Sequence, residues 1–300
     1  MNNILIIGCG LLGSSLLRRI HKKKIAKKIF IYEKSKSNIL RIKKLKLPGI
    51  ILNKLEKGVV NSDLIIFCTP MSEYKNLILK INNFISSKTL ITDIGSSKIE
   101  SSKIIKKFLK KNIHWIQSHP IAGSEVSGPQ HGKENMFENK WCILTKEKST
   151  KKAYLNILNN FWKKIGSRVV VMTAEKHDKI FSITSHLPHL IAYNLIKTAQ
   201  DFQKKQKKDV IKFSAGGLRD FSRIAASNEI MWRDIFFNNK RNIISAINLF
   251  INNLNSFKKN IEKLDDKTLR KKLINSKKVR QQILSLKQDI AKPDFGRDQD

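Results

Sequence analysis

Two histidine-bearing runs contain the residue types from which proton-transfer chemistry is built. SHPIAGSE (118–125) holds His119 and Glu125, and SHLPH (185–189) holds His186 and His189. An imidazole takes and returns protons near neutral pH, so His119 is either a general base or a turn residue with a satisfied ring. His186 and His189 stand three apart and would share a helix face like a metal pair. No third and fourth ligand accompanies them at the usual spacing, so no metal is expected. DIGSSK (93–98) supplies Ser96, which either caps the following helix or faces a ligand. GGLRDFSRIA (216–225) carries Asp220 and Arg223. The arginine fork suits a carboxylate, either a ligand's or that of Glu125 or Asp220.

A second set of residues could hold a nucleotide. In GCGLLG, Gly8, Gly10 and Gly13 directly follow the apolar run ILII and open a helical pattern. The three glycines would give a tight turn, backbone approach to a pyrophosphate, and close helix–strand packing. The amides of Leu11 and Leu12 would then begin a helix whose dipole favours an anion. Glu33 follows Gly13 by 20 residues, at the end of the second strand. An acid there binds both ribose hydroxyls and repels a 2′-phosphate, which favours NAD over NADP; Lys34 and Lys36 act against that preference. Thr69, Pro70 and Asp93 end later strands and complete the expected cofactor contacts. These features predict a nicotinamide-dependent oxidoreductase.

The elements that must position these residues alternate in type. ILIIG (4–8), IFIYE (29–33), DLIIFCTP (63–70), TLITDIG (89–95) and IHWIQSHP (113–120) read as buried strands. Helical patterns lie between them, as in a doubly wound parallel sheet with ligands beyond the strands' carboxyl ends. Ser96 and His119 should therefore face one crevice. A long polar segment, 121–139, then breaks the rhythm where functional loops tend to occur. After WCILT (141–145) and RVVVM (168–172) the pattern is almost wholly helical, interrupted at KFSAGGLRD (212–220). The expected organisation is a dinucleotide domain over 1–172, an all-α domain over 173–291 and a disordered tail over 292–300.

Composition bounds the function class. The formal charge is +35, yet only 11 of the 59 basic residues are arginine and the lysines are spread over every segment. Lysine here accompanies abundant Ile and Asn, residues of AT-rich codons, so compositional drift explains the charge without a nucleic-acid function. Salt-sensitive, non-specific nucleic-acid binding is the most it predicts. The rival reading, a nucleic-acid-binding protein on a Rossmann scaffold, leaves the polar clusters unexplained. No run is apolar and long enough to span a membrane, and the apolar-then-basic order at the N-terminus reverses that of a secretory signal. A cytoplasmic protein with three reduced cysteines is expected.

GCGLLG, CTP, TDIGSSK, SHPIAGSEVSG, KHD, SHLPH, GLRDFSRIAAS and MWRDIFFNN occur in one order across roughly residues 3–250. In this the chain resembles the prephenate dehydrogenase family of tyrosine biosynthesis, which includes arogenate and cyclohexadienyl dehydrogenases. The resemblance implies a Rossmann domain, a helical domain through which two subunits form a homodimer, and NAD-dependent oxidative decarboxylation of prephenate. It also implies roles. His119 matches the catalytic histidine, and Ser96 the serine that positions the substrate hydroxyl. His189 matches a substrate-binding histidine, with His186 placed beside it. Arg223 matches the arginine that binds a substrate carboxylate, Glu125 and Asp220 its ionic partners, and Trp232 a tryptophan close to the site.

Overall fold

The computed structural model describes residues 1–206, 209–286 and 288; the tail expected at 292–300 lies outside them. The first half follows the alternation of its apolar runs. Strand β1 (Asn3–Ile7), α1 (Leu11–Lys22), β2 (Lys28–Tyr32), α2 (Lys36–Lys44), β3 (Ile50–Ile51), α3 (Leu55–Val60) and β4 (Leu64–Phe67) come first. Then come α4 (Tyr74–Ile81), β5 (Leu90–Asp93), α5 (Ile99–Phe108) and β6 (His114–Trp115). The six strands are all parallel, in the order β3-β2-β1-β4-β5-β6. The direction of winding reverses between β1 and β4, which makes the crevice at their carboxyl ends the ligand-binding position of such a sheet.

Strand alternation assigns each apolar residue to a face. Ile4 and Ile6 of β1 join one core with Leu16, Leu17 and Ile20 of α1 and Ile42 of α2. Leu5 and Ile7 join the opposite core with Leu55, Ile78, Ile81 and Ile105. Burial on both faces is why these strands read as continuous apolar runs rather than alternating ones.

The run 113–120 was expected as one strand, and the structure divides it. Ile116 donates its amide to Ile91 in the large sheet, and Gln117 accepts from Thr145 in a second, small sheet. There β7 (Ser118–Pro120) pairs antiparallel with β8 (Trp141–Thr145), which pairs parallel with β9 (Arg168–Met172) across α6 (Lys152–Ile165). The transfer lifts His119 out of the main sheet.

Beyond β9 the described chain is helical: α7 (Ala174–Phe181), α8 (Leu187–Gln206), α9 (Gly216–Ile224), α10 (Glu229–Asn238), α11 (Lys240–Glu262) and α12 (Asp266–Ser285). A π-turn over Ser182–His186 joins α7 to α8 without a break. Pro188 follows it and has no N–H to give, so the widened turn absorbs the missing helical bond. The expected interruption at 212–220 is shorter than its glycines suggested, because Gly216 and Gly217 open α9 rather than a loop. Helix α10 docks on the first half, burying Trp232 and Ile235 in its second core, and Asp234 accepts the Ser72 amide at 2.9 Å. Among the described residues no helix is long and apolar enough to cross a membrane.

The glycine turn makes opposite demands at two positions. A Cβ on Gly13 would lie 2.1 Å from the Gly8 carbonyl oxygen, whereas one on Gly10 would meet nothing within 4 Å. Gly13→Ala should therefore destabilise the protein by about 3 kcal/mol, the upper end of an overpacking cost. Gly10→Ala should leave the thermal midpoint unchanged. Calorimetry on both variants checks this, and equal midpoints would contradict the packing role of Gly13.

Candidate active site

At the switch point the chain forms a cradle. Gly8 (φ +90°) turns the backbone so tightly that a Cβ there would touch the Cys68 carbonyl oxygen at 2.8 Å. Glu33, at the tip of β2, accepts the Cys9 amide at 2.7 Å through Oε2 and the Ser35 amide at 2.8 Å through Oε1. Each oxygen retains a lone pair for a further donor. No side chain caps the first turn of α1, which also lacks an acidic residue. Thr69 Oγ1, at the end of β4, is buried without a partner, and Pro70 leads the chain into a short 3₁₀ turn. A bare helix N-terminus, open space at Gly10 and an orphaned hydroxyl fit an anionic dinucleotide.

Asp93 was expected among the cofactor contacts and is instead committed inside the fold. Its Oδ1 accepts Trp115 Nε1 at 3.1 Å. Its Oδ2 accepts Lys98 Nζ at 2.7 Å, Tyr74 Oη at 3.1 Å and the Gly95 amide at 3.0 Å. Both members of the Lys98–Asp93 pair are fully buried, and Lys98 Nζ also donates to the Ser118 carbonyl at 2.6 Å. A buried charge needs this many partners to offset its desolvation. Ser118 is further bound through Oγ to Thr92 Oγ1 (2.6 Å) and Trp162 Nε1 (3.0 Å), so β7 is fixed immediately before His119.

The His119 ring packs against α7, with centroids 5.0 Å from His177 and 4.9 Å from Phe181. Its Nδ1 lies 2.8 Å from His177 Nε2, and His177 Nδ1 lies 2.7 Å from Asp178 Oδ1. Burial, then the neighbouring His177, Lys98 and His186, hold the His119 pKa well below the usual histidine value. His119 is therefore neutral at neutral pH.

The serines after β5 do not cap α5. Asp178 does so from α7, accepting the Lys98 amide at 2.8 Å and the Ile99 amide at 2.9 Å. Ser96 is left half-buried, its backbone against the His186 ring. His186 is fully buried, takes a 3.0 Å hydrogen bond at Nδ1 from Asn239 Nδ2, and leaves Nε2 without a partner. Burial lowers its pKa to about 4. His189 donates Nδ1–H to the Ser185 carbonyl at 3.0 Å and stacks on Trp232 at 3.8 Å, leaving Nε2 as an acceptor. Trp232 Nε1 is itself buried and unpartnered. The two histidines of SHLPH thus meet one tryptophan, and among the described residues no three His, Cys, Asp or Glu side chains gather as a metal site.

The polar segment 121–139 straps across α1. Ser14 Oγ and Arg18 Nη2 donate to the Pro129 carbonyl, at 3.4 and 3.1 Å, and Ser15 Oγ accepts the Lys133 amide at 3.0 Å. This strap carries Glu125 to Arg223 of α9, with Nη1 to Oε2 at 3.4 Å. Its own backbone amide and then Arg223 hold the Glu125 carboxyl below its usual pKa. Asp220 sits one turn before Arg223 on the same helix. His177, Asp178 and Lys98 were not picked out as site residues from the sequence. KHD (176–178) was visible only as a motif, its charges indistinguishable from those of a solvated helix start.

The chain is similar in sequence and in fold to known proteins. Residues 16–171 match the nucleotide-binding domain of prephenate dehydrogenase, and residues 173–275 match its dimerization domain. A cyclohexadienyl dehydrogenase of Zymomonas mobilis is 32% identical, covering 96% of this chain and 97% of that one. A prephenate dehydrogenase of Bacillus subtilis is 31% identical, covering 98% of this chain and 79% of its own. The crystal structure of prephenate dehydrogenase from Aquifex aeolicus, in complex with hydroxyphenyl propionate and NAD⁺, superposes with a TM-score of 0.88 at 32% identity. It covers 94% of this chain and 98% of that one. By sequence and by fold, the chain belongs to the prephenate dehydrogenase family.

Proposed function

We propose that this chain catalyses the NAD⁺-dependent oxidative decarboxylation of prephenate to 4-hydroxyphenylpyruvate. The observation that carries the reading is a buried, neutral His119 held within β7, in a fold with a dinucleotide cradle at its switch point. The amides around Gly10, Leu11, Leu12 and Gly13, with Thr69 and Pro70, would hold the pyrophosphate side of NAD⁺, and Glu33 the ribose. The Glu33 carboxylate disfavours the extra phosphate of NADP. When bound, NAD⁺ supplies the acceptor for the hydride lost from C4.

The residues of the chain then manage one proton and two carboxylates. His119 takes the C4 hydroxyl proton as that oxygen becomes a carbonyl. It returns the proton once CO₂ has left and the ring is aromatic, so no net proton is released. Ser96, on the turn after β5, would orient the hydroxyl. Arg223 binds a substrate carboxylate in a charge-assisted pair, with Glu125 and Asp220 setting its position. His186, His189 and Trp232 form the wall of the substrate site. Because aromatisation makes the reaction strongly downhill, the protein's contribution is orientation and timing. Exposed Leu249, Ile251 and Leu254 on α11, within the match to a dimerization domain, support a homodimer.

A second reading, arogenate as substrate, draws on the relative named cyclohexadienyl dehydrogenase. The two substrates differ only in a keto against an amino group. Following NADH formation by its ultraviolet absorbance with each substrate tests both. A higher kcat/KM for prephenate is expected, a strong preference for arogenate would replace the substrate, and no turnover of either would overturn the reading. The depressed His119 pKa also sets the pH profile. A base must be unprotonated, so kcat/KM should hold until the pH falls well below 6.5. An acid limb at the ordinary histidine value would contradict the buried base.

Two variants separate the roles. His119→Asn should lower kcat by about 10²–10⁴-fold with KM nearly unchanged. An unaltered kcat would remove His119 as the base. Arg223→Gln should raise the substrate KM by about 10- to 100-fold, the worth of a charge-assisted hydrogen bond. A loss confined to kcat would contradict the binding role.

A further inference from the structure

His177 and Asp178 lie behind the residue read as the base, and the proposed reaction assigns them no part. Both side chains are fully buried. They are adjacent on α7, and together with His119 they make a chain of two hydrogen bonds, 2.7 and 2.8 Å long.

The direction of those bonds follows from the far end. The Asp178 carboxyl faces three donors, the amides of Lys98 and Ile99 and the ring nitrogen of His177. A carboxylate only accepts, so the proton between it and His177 resides on His177 Nδ1. A neutral His177 then carries its lone pair on Nε2. That lone pair accepts a proton already on its neighbour, so His119 Nδ1 is the protonated nitrogen. The lone pair of His119 is left on Nε2. Free histidine in water favours the opposite tautomer, with the proton on Nε2, and in that form the ring would offer no acceptor on the outward side.

We propose that His177 and Asp178 are positioning residues that lock His119 into its Nδ1–H tautomer, making Nε2 the atom that takes the substrate proton. The same chain serves the step that follows. As Nε2 gains a proton the ring becomes a cation, its Nδ1–H bond to His177 strengthens, and the Asp178 carboxylate lies one imidazole away to balance the charge. His119 transfers the proton; His177 keeps its own, and Asp178 stays ionised. Phe181 closes the arrangement sterically, its ring 4.5 Å from His177 and 4.9 Å from His119. Outer partners that orient a metal-bound histidine alter function about 10- to 100-fold when removed, and the same scale is expected of this pair.

This inference rests on the reading of His119 as the base, and its test is arranged so that the two can fail separately. Nitrogen-15 spectra of the histidine rings in the wild-type chain, recorded without substrate, report the tautomer directly. The Nδ1–H form of His119 is expected, and the Nε2–H form would overturn the proposal. The spectra decide the point even if the chain oxidises neither prephenate nor arogenate, a result that would overturn the functional reading alone.

Substitution supplies the kinetic arm. His177→Leu removes the acceptor and should lower kcat about 10- to 100-fold, with KM for substrate and the Kd for NAD⁺ unchanged. His177→Gln places an oxygen acceptor where Nε2 stood and should recover most of the loss. A folded Leu variant with wild-type kcat would overturn the proposal, as would a Gln variant no better than Leu. Should the Leu variant fail to fold, the wild-type spectrum and the Gln variant decide.

Discussion

The Asp178 carboxylate is the interaction on which the site depends. It closes the N-terminus of α5, whose own sequence supplies no cap, and so fixes the turn between β5 and α5 that carries Ser96. It orients His177, and through it the His119 ring. Its backbone carbonyl accepts Asn239 Nδ2 at 2.8 Å, and the same Asn239 amide holds His186. One residue on the first helix after β9 thereby registers the helical half against the sheet. A buried carboxylate is costly unless fully paired, and removing a partner from such a group typically costs about 3–5 kcal/mol. That cost makes the arrangement all-or-none, which suits a site whose atoms must be placed to a fraction of an ångström.

The Lys98–Asp93 pair does a complementary job one layer deeper. Burying two charges gives little net stability, since desolvation offsets most of their attraction. What the pair supplies is position and field. Lys98 ties Ser118, the residue before His119, to the core. Its positive charge, with those that His177 and His186 would carry, disfavours a proton on His119, adding to the effect of burial. The His119 ring is kept unprotonated by its surroundings. If it is the base proposed above, it would not wait on solvent pH to be ready for the substrate's proton.

How much of this was legible in the sequence depended on the range of the interaction. GCGLLG and Glu33 were readable because a turn and a strand end twenty residues apart are linked by local geometry. The apolar runs gave the parallel sheet for the same reason. Asp93 was misassigned because a strand-end carboxylate looks alike whether it faces a ligand or a lysine folded beneath it. The division of 113–120 into β6 and β7 was hidden because a continuous β pattern does not say which neighbour each half will pair with. His177 and Asp178 were passed over for a related reason. Lys-His-Asp in sequence looks solvated, and nothing local reveals that its partners are two amides nearly eighty residues away.

Arg223 raises the question of how a site can hold a substrate carboxylate without retaining the group that must leave. If the arginine binds the ring carboxylate, its attraction must weaken as CO₂ forms, or decarboxylation stalls. The geometry suggests how the hold is moderated. Arg223 is half-exposed, and its ion pair with Glu125 spans 3.4 Å, too long for a strong charge-assisted bond. Glu125 is held in its charged form by its own backbone amide and by the guanidinium itself. On the proposed reaction, the carboxylate of Glu125 would be in place to take up the freed donors as the substrate's charge disappears. The arginine would then exchange one anion for another. Its pull on the departing group would fall with Glu125 still beside it, and the strap over α1 that carries Glu125 would serve decarboxylation as well as the fold.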